Sequence, residues 1–204
     1  MGSENDMRQY CKKPLFWSLY NAYKEGLVTE ALYTKSDKAL IKLIQSFDKG
    51  EKAFLIGGQF LKFTPSHVSK FLGLPNEGTQ LKLHTKEKLE ASYGKRYFAG
   101  LRQLDLKNVT RALKLAVKGT SDENVDDTVR LLCLYLCTTL LFANTGNNIA
   151  WFIQNRMGEL DKISNYNWSQ AVYEWLIDDM IKKEHRPSSV AGCTILLLVR
   201  TLQA

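Results

Sequence analysis

The sequence contains no apolar run long enough to cross a membrane. Its two longest runs, Leu131–Ala143 and Val190–Val199, are well short of the roughly 20 residues that a membrane-spanning helix needs. The opening residues, MGSENDMRQYCKK, have no apolar core, so we expect no secretory signal peptide. The last residues continue a helical pattern, so we also expect the chain to be one domain of a longer protein. These absences predict a protein with no membrane contact.

Cysteine and histidine are scarce, with four cysteines and three histidines in 204 residues. The cysteine spacing forms no disulfide framework, which favours a reducing cytosolic or nuclear setting. Cys133 and Cys137 would share a helix face, but structural zinc needs four ligands in recognisable pairs and no histidine lies near them in the sequence. We therefore expect no metal site and no cofactor.

No catalytic motif is evident. His185 precedes Cys193 by eight residues, but Cys193 opens a run of Ile, Leu and Val. A core cysteine fits this setting better than a peptidase nucleophile, which needs an exposed electropositive site. Gly57-Gly58 lacks the downstream Gly-Lys-Ser/Thr of a phosphate-binding loop. Asp126 and Asp127 are adjacent at the start of a predicted helix. Negative charge there interacts favourably with the helix dipole, and adjacent helical side chains point in different directions, so the two carboxylates would not share a proton. We therefore expect that the protein is not an enzyme and that it has no small-molecule substrate.

Positive charge is concentrated in the first part of the chain. Residues 1–120 hold 21 Lys and Arg against 11 Asp and Glu, whereas residues 121–204 hold 7 against 10. Within the basic belt Lys82–Lys118 the balance is 10 against 3. Such an asymmetry favours an anionic partner.

The apolar pattern predicts a mainly α fold, a compact helical bundle with one small β-hairpin near residues 52–63. Gly57-Gly58 separates two short apolar runs, as in a tight hairpin turn. Thr64 and Pro65 are suited to begin a short helix, which ends at Gly73. We predict a loop at 94–100 and a brief strand at 80–83. The other predicted helices are 14–25, 36–47, one begun by Thr85, 106–118, 125–143, 149–157, 168–184 and one from Ser188 or Ser189 to Leu202.

One predicted helix has a basic face. Lys107, Arg111, Lys114 and Lys118 are spaced four, three and four residues apart, opposite Val109, Leu113 and Ala116. Upstream, Lys95 and Arg96 lie beside Tyr93, Tyr97 and Phe98. Basic residues interleaved with aromatics favour nucleic-acid binding, in which the cations contact the phosphate backbone and the aromatic rings stack on bases. The alternative is an ordinary solvated helix face. The candidate contacts with nucleic acid or another anion are Lys95, Arg96, Lys107, Arg111, Lys114 and Lys118.

The order of motifs resembles the plant mobile domain, a transposon-derived family. Residues 54–78 carry its short hairpin, its Thr-x-x-x-Val helix and its Leu-Gly-Leu-Pro-x-x-Gly segment. Residues 131–142 are similar to its buried helix, and residues 160–172 to its Leu-x-Asp and Trp-Gly/Ser-x-Ala segment. The resemblance covers about residues 50–204, and the chain lacks the Trp and Glu-Arg that usually follow the last helix. We expect one module over residues 1–204, with N-terminal helices in 1–50 and the signature region in 51–204.

The resemblance implies a non-catalytic nuclear module that acts in transposon or gene silencing, or in genome stability. A further hypothesis is that the domain docks a protein partner of chromatin or phosphatase type through an exposed aromatic side chain, for which Trp151 and Tyr166 are candidates. The alternatives are nucleic-acid binding through residues 82–118, or a domain that accompanies a cysteine peptidase.

Overall fold

The computed structural model describes residues 38–83, 88–144 and 148–197. The helix predicted at 14–25 and the predicted cap Thr85 lie outside the described residues, and residues 88–91 are not helical. The described chain is mainly α-helical, as predicted. Its helices are α1 (Lys38–Gln45), α2 (Pro65–Leu72), α3 (Ser92–Phe98), α4 (Leu106–Ala116), α5 (Asp122–Leu136), α6 (Trp151–Arg156) and α7 (Trp168–Lys182).

The predicted hairpin is confirmed. Strands β2 (Ala53–Ile56) and β3 (Gln59–Lys62) pair antiparallel, with Leu55 opposite Phe60. Gly57 and Gly58 both have positive φ, at 57° and 79°, which is the backbone that a two-residue turn of this kind requires. The sequence did not reveal a third strand, β1 (Phe47–Asp48), which pairs with β2 and makes a three-stranded sheet.

Helix α2 begins and ends where the sequence indicates. Thr64 has extended backbone, Pro65 is the first helical residue, and Gly73 is left-handed at the end. The Thr64 backbone N–H donates to Nδ1 of His67 at 3.1 Å, so a side chain of the first turn satisfies the N-cap backbone. The residues that set the two ends of this helix therefore lie within the helix or directly beside it.

The core centres on aromatic rings from the second half of the chain. The Phe142 ring lies 5.6 Å from the Trp175 ring, 6.3 Å from the Trp168 ring and 6.4 Å from the Phe152 ring, measured between centroids. Trp168 is fully buried, and its Nε1 donates to the Ile163 carbonyl at 2.7 Å. Helix α7 therefore lies at the centre, with α2 packed against it and α4 packed against α5.

Several predicted boundaries were wrong. Residues 92–98 form helix α3 instead of the predicted loop, because buried Tyr93 and Phe98 anchor that segment in the core. No strand forms at 80–83, and the isolated bridge between Thr79 and Tyr166 lies just before that segment. Helix α6 begins at Trp151, because Asn148–Ile149 (β5) instead pairs with Leu104–Asp105 (β4).

Two long predicted helices are interrupted. The helix predicted over 125–143 changes after α5 into a π-helical turn, Cys137–Leu141. The helix predicted from Ser188 or Ser189 begins instead as a 3₁₀ turn, Pro187–Ser189, and only residues 195–197 of its remainder are described as helical. Within the described ranges, no helix has the length and apolar character needed to cross a membrane.

Candidate anion-binding surface

Helix α4 is fixed at its start and along one face. The Asp105 carboxylate accepts a hydrogen bond from the Asn108 backbone N–H at 2.7 Å, which caps the helix. Val109, Ala112 and Ala116 are buried against the core. The opposite face is thereby held towards solvent.

The four predicted cations lie together on that solvent face. Lys107, Arg111 and Lys114 belong to α4, Lys118 lies in the turn that follows, and all four are exposed. At a rise of about 1.5 Å per residue, they extend over about 16 Å. None of the four forms an ion pair with any residue that the structure describes, and Arg111 donates only to the Asn108 amide at 3.2 Å. We call these four residues the basic stripe.

Two exposed apolar side chains flank the basic stripe. Leu115 is 57% exposed and Val117 is 62% exposed. At about 100° per residue, Leu115 lies beside Arg111 on one edge and Val117 beside Lys114 on the other. The stripe ends at Lys118, in the turn that follows α4, and the next helix, α5, begins with the acidic residues Asp122 and Glu123. The surface is therefore basic along its middle and apolar at its edges near one end.

The other two cation candidates, Lys95 and Arg96, lie on a different helix, α3. Lys95 is exposed there. The Arg96 guanidinium instead donates to the Asp127 carboxylate at 2.6 Å and pairs with Glu123 at 2.8 Å. The hydrogen bonds to Asp127 raise the pKa of Arg96 above its ordinary value. Arg96 therefore holds α3 against α5, and its charge is already shared with two carboxylates.

The sequence did not reveal the role of Asp127. Its side chain is 1% exposed and accepts hydrogen bonds from Arg96 on one oxygen and from Arg130 on the other, the latter at 2.9 Å. The Arg130 guanidinium also lies 5.8 Å from the centre of the Tyr93 ring. The three-residue spacing of Asp127 and Arg130 was the only signal in the sequence for this cluster.

The aromatic residues beside Lys95 and Arg96 do not form a stacking platform. Tyr93 and Phe98 are buried, and the Tyr93 hydroxyl donates to the Gln154 carbonyl at 2.9 Å. Tyr97 is partly buried against the core. The alternation of aromatic and basic residues that suggested base stacking instead reflects the two sides of α3. The aromatic residues face the core, and the basic residues face solvent.

Trp151 and Tyr166 are both partly buried rather than prominent on the surface. Trp151 packs against the core at the start of α6. The Tyr166 ring lies 6.3 Å from the Trp168 ring and 5.8 Å from the Arg156 guanidinium. Each therefore has a packing role in this domain.

The segment 74–79, which carries Leu-Pro-x-x-Gly, is docked on the start of α7. The Thr79 backbone N–H donates to the Asn165 carbonyl at 2.8 Å, and the Asn167 N–H donates to the Thr79 carbonyl at 2.9 Å. The Ser169 N–H donates to the Pro75 carbonyl at 3.0 Å. We call residues 74–79 the docked segment. It is held by hydrogen bonds between its own backbone and the backbone of residues 165–169.

The candidate nucleophile and metal ligands are core residues. Cys193 is buried, and burial raises the pKa of its thiol to about 12, whereas His185 is exposed. Burial also raises the pKa of Cys137 well above its usual value. The described part of the chain contains no group of three or more His, Cys, Asp or Glu arranged to hold a metal ion.

Comparison with known proteins and families places the chain in a family. No curated protein and no solved structure is significantly similar to the chain. A family model described as "Domain of unknown function (DUF8566)" matches residues 25–198, which is most of the sequence. The chain belongs to the DUF8566 family.

Proposed function

We propose that this domain is a non-catalytic interaction module that binds an anionic macromolecule through the basic stripe on α4. The observation that carries the proposal is the set of four exposed cations without an ion pair among the described residues. Like charges held on one helix face repel one another, and an anionic partner would relieve that repulsion.

The surroundings of α4 support binding rather than catalysis. The face opposite the stripe is buried, so the cations are displayed on a rigid element. Burial raises the pKa of the Cys137 and Cys193 thiols, which is the opposite of what an activated cysteine nucleophile needs. A nuclear role in transposon or gene silencing is supported only by the resemblance to the plant mobile domain and stays a prediction.

The test is binding of the full chain to two polyanions, heparin and a fluorescein-labelled DNA duplex, at about 50 and 200 mM salt. If all four cations contact phosphates, affinity for the duplex falls about 100-fold over this range. Replacing all four residues of the basic stripe by Glu abolishes binding to both probes.

A matched variant separates the stripe from net charge. Replacing Lys38, Lys42, Lys62 and Lys70 by Glu changes net charge by the same amount at exposed positions outside α4. We expect this control variant to bind both probes through its intact basic stripe. Its binding is weaker than that of the unaltered chain only because its net charge is less positive. Equal losses in the two variants, or no loss in the stripe variant, would refute the proposal.

A further inference from the structure

The two exposed aliphatic side chains at the edges of the basic stripe are not explained by binding to a phosphate backbone. Leu115 and Val117 are among the few large apolar side chains that the described surface exposes. Phosphates and sugars offer little apolar surface to cover them. Burial of aliphatic surface would instead stabilise a complex with a partner that has apolar side chains of its own.

The burial of the aromatic residues in the basic belt also favours a protein partner over nucleic acid. Binding of single-stranded nucleic acid usually combines cations with exposed aromatic rings on which bases stack. Here Tyr93 and Phe98 are buried, and the apolar groups beside the stripe are aliphatic. The described part of the basic belt therefore exposes cations and aliphatic side chains, whereas its aromatic rings are buried or partly buried.

We propose that α4 and its following turn bind an acidic amphipathic segment of a protein partner. Carboxylates of the partner would pair with the basic stripe, and its aliphatic side chains would cover Leu115 and Val117. The occupant is argued from charge complementarity with the four cations and from the apolar edges. This inference rests on the proposed function and names its class of partner.

The probe is a fluorescein-labelled peptide of repeated Glu-Glu-Leu-Leu-Glu-Ala-Leu units. A second peptide has every leucine replaced by glutamine and keeps the charge. The full chain is titrated with both peptides and with the DNA duplex, and anisotropy is measured. We expect the leucine peptide to bind at least about 10-fold more tightly than the glutamine peptide, because only the former covers the aliphatic edges.

Two variants distinguish the apolar edges from the charge. Leu115→Gln with Val117→Gln weakens binding of the leucine peptide about 10-fold and leaves duplex binding unchanged. Leu55→Gln, at a similarly exposed position on the hairpin, changes neither. Arg111→Glu with Lys114→Glu weakens both probes. Thermal unfolding of each variant verifies that it is folded, and the comparison of the two peptides on the unaltered chain does not depend on any variant.

The outcomes separate the two proposals. Equal binding of the two peptides, tighter binding of the duplex than of the leucine peptide, or no effect at Leu115 and Val117 would overturn the acidic-segment inference. In those cases the proposed function survives if Arg111→Glu with Lys114→Glu still weakens duplex binding. If that charge reversal changes no probe, the proposed function itself fails.

Discussion

Replacing Gly78 by Ala tests how the docked segment is held. Gly78 has a φ of 109°, and a Cβ at this position would lie 2.2 Å from the Asn165 carbonyl oxygen. Real Cβ contacts are not shorter than 3.0 Å, so the two backbones must separate. That separation stretches the hydrogen bonds that Thr79 makes with Asn165 and Asn167.

The expected cost follows from these contacts. Holding alanine at positive φ costs roughly 1–2 kcal/mol, and each of the two weakened hydrogen bonds contributes about 1 kcal/mol. We therefore expect Gly78→Ala to lower the free energy of unfolding by about 3–4 kcal/mol, which is a large effect for one methyl group.

A second glycine provides the control. Gly58 in the hairpin turn also has positive φ, at 79°, but a Cβ added there would meet no atom within 4 Å beyond its chain neighbours. Gly58→Ala should lower the free energy of unfolding by only the backbone strain, about 1–2 kcal/mol. Urea unfolding followed by tryptophan fluorescence measures both variants. If Gly78→Ala costs no more than Gly58→Ala, the docked segment does not pack on α7 as described.

Two further predictions concern buried groups. Asp127→Ala should lower the free energy of unfolding by about 3 kcal/mol, because Arg96 and Arg130 lose a shared buried carboxylate. Asp126→Ala should lower the free energy of unfolding by under about 1 kcal/mol, because Asp126 is more exposed and its ion pair with Arg130 is 3.3 Å long. Urea unfolding measures both variants, and equal losses of stability would contradict the buried role of Asp127. In a Cys11→Ser variant, the three described cysteines should not react with a thiol reagent near pH 8 until the protein unfolds, because all three side chains are buried away from the reagent. Rapid labelling of the folded protein would show that one of them is accessible.

The sequence was informative where structure is local. The hairpin turn needs two residues at positive φ, which Gly57-Gly58 supplies, and helix α2 is bounded by its own cap residues, Thr64 and Gly73. The exposure of the basic stripe likewise followed from helical periodicity, because the apolar positions of α4 fix which face is buried.

Tertiary contacts decided which candidate side chains remain available. Lys95 and Arg96 are neighbours in the sequence and both are exposed, yet Arg96 also pairs with Asp127, a residue 31 positions away. No local pattern shows that pairing, because it depends on the packing of α3 against α5. The base-stacking interpretation required Tyr93 and Phe98 to be accessible, but both are buried.

The sequence by itself therefore determined the mainly α fold, the hairpin, the ends of α2 and the exposed cations of α4, because short-range backbone preferences and helical periodicity specify each of them. Only the tertiary structure decided that Gly78 lies against Asn165, that Asp127 is a buried partner of two arginines, and that Leu115 and Val117 remain uncovered beside the stripe. The contacts of Gly78 with Asn165 and of Arg96 with Asp127 join segments far apart in the chain, and such contacts leave no period or spacing in the sequence.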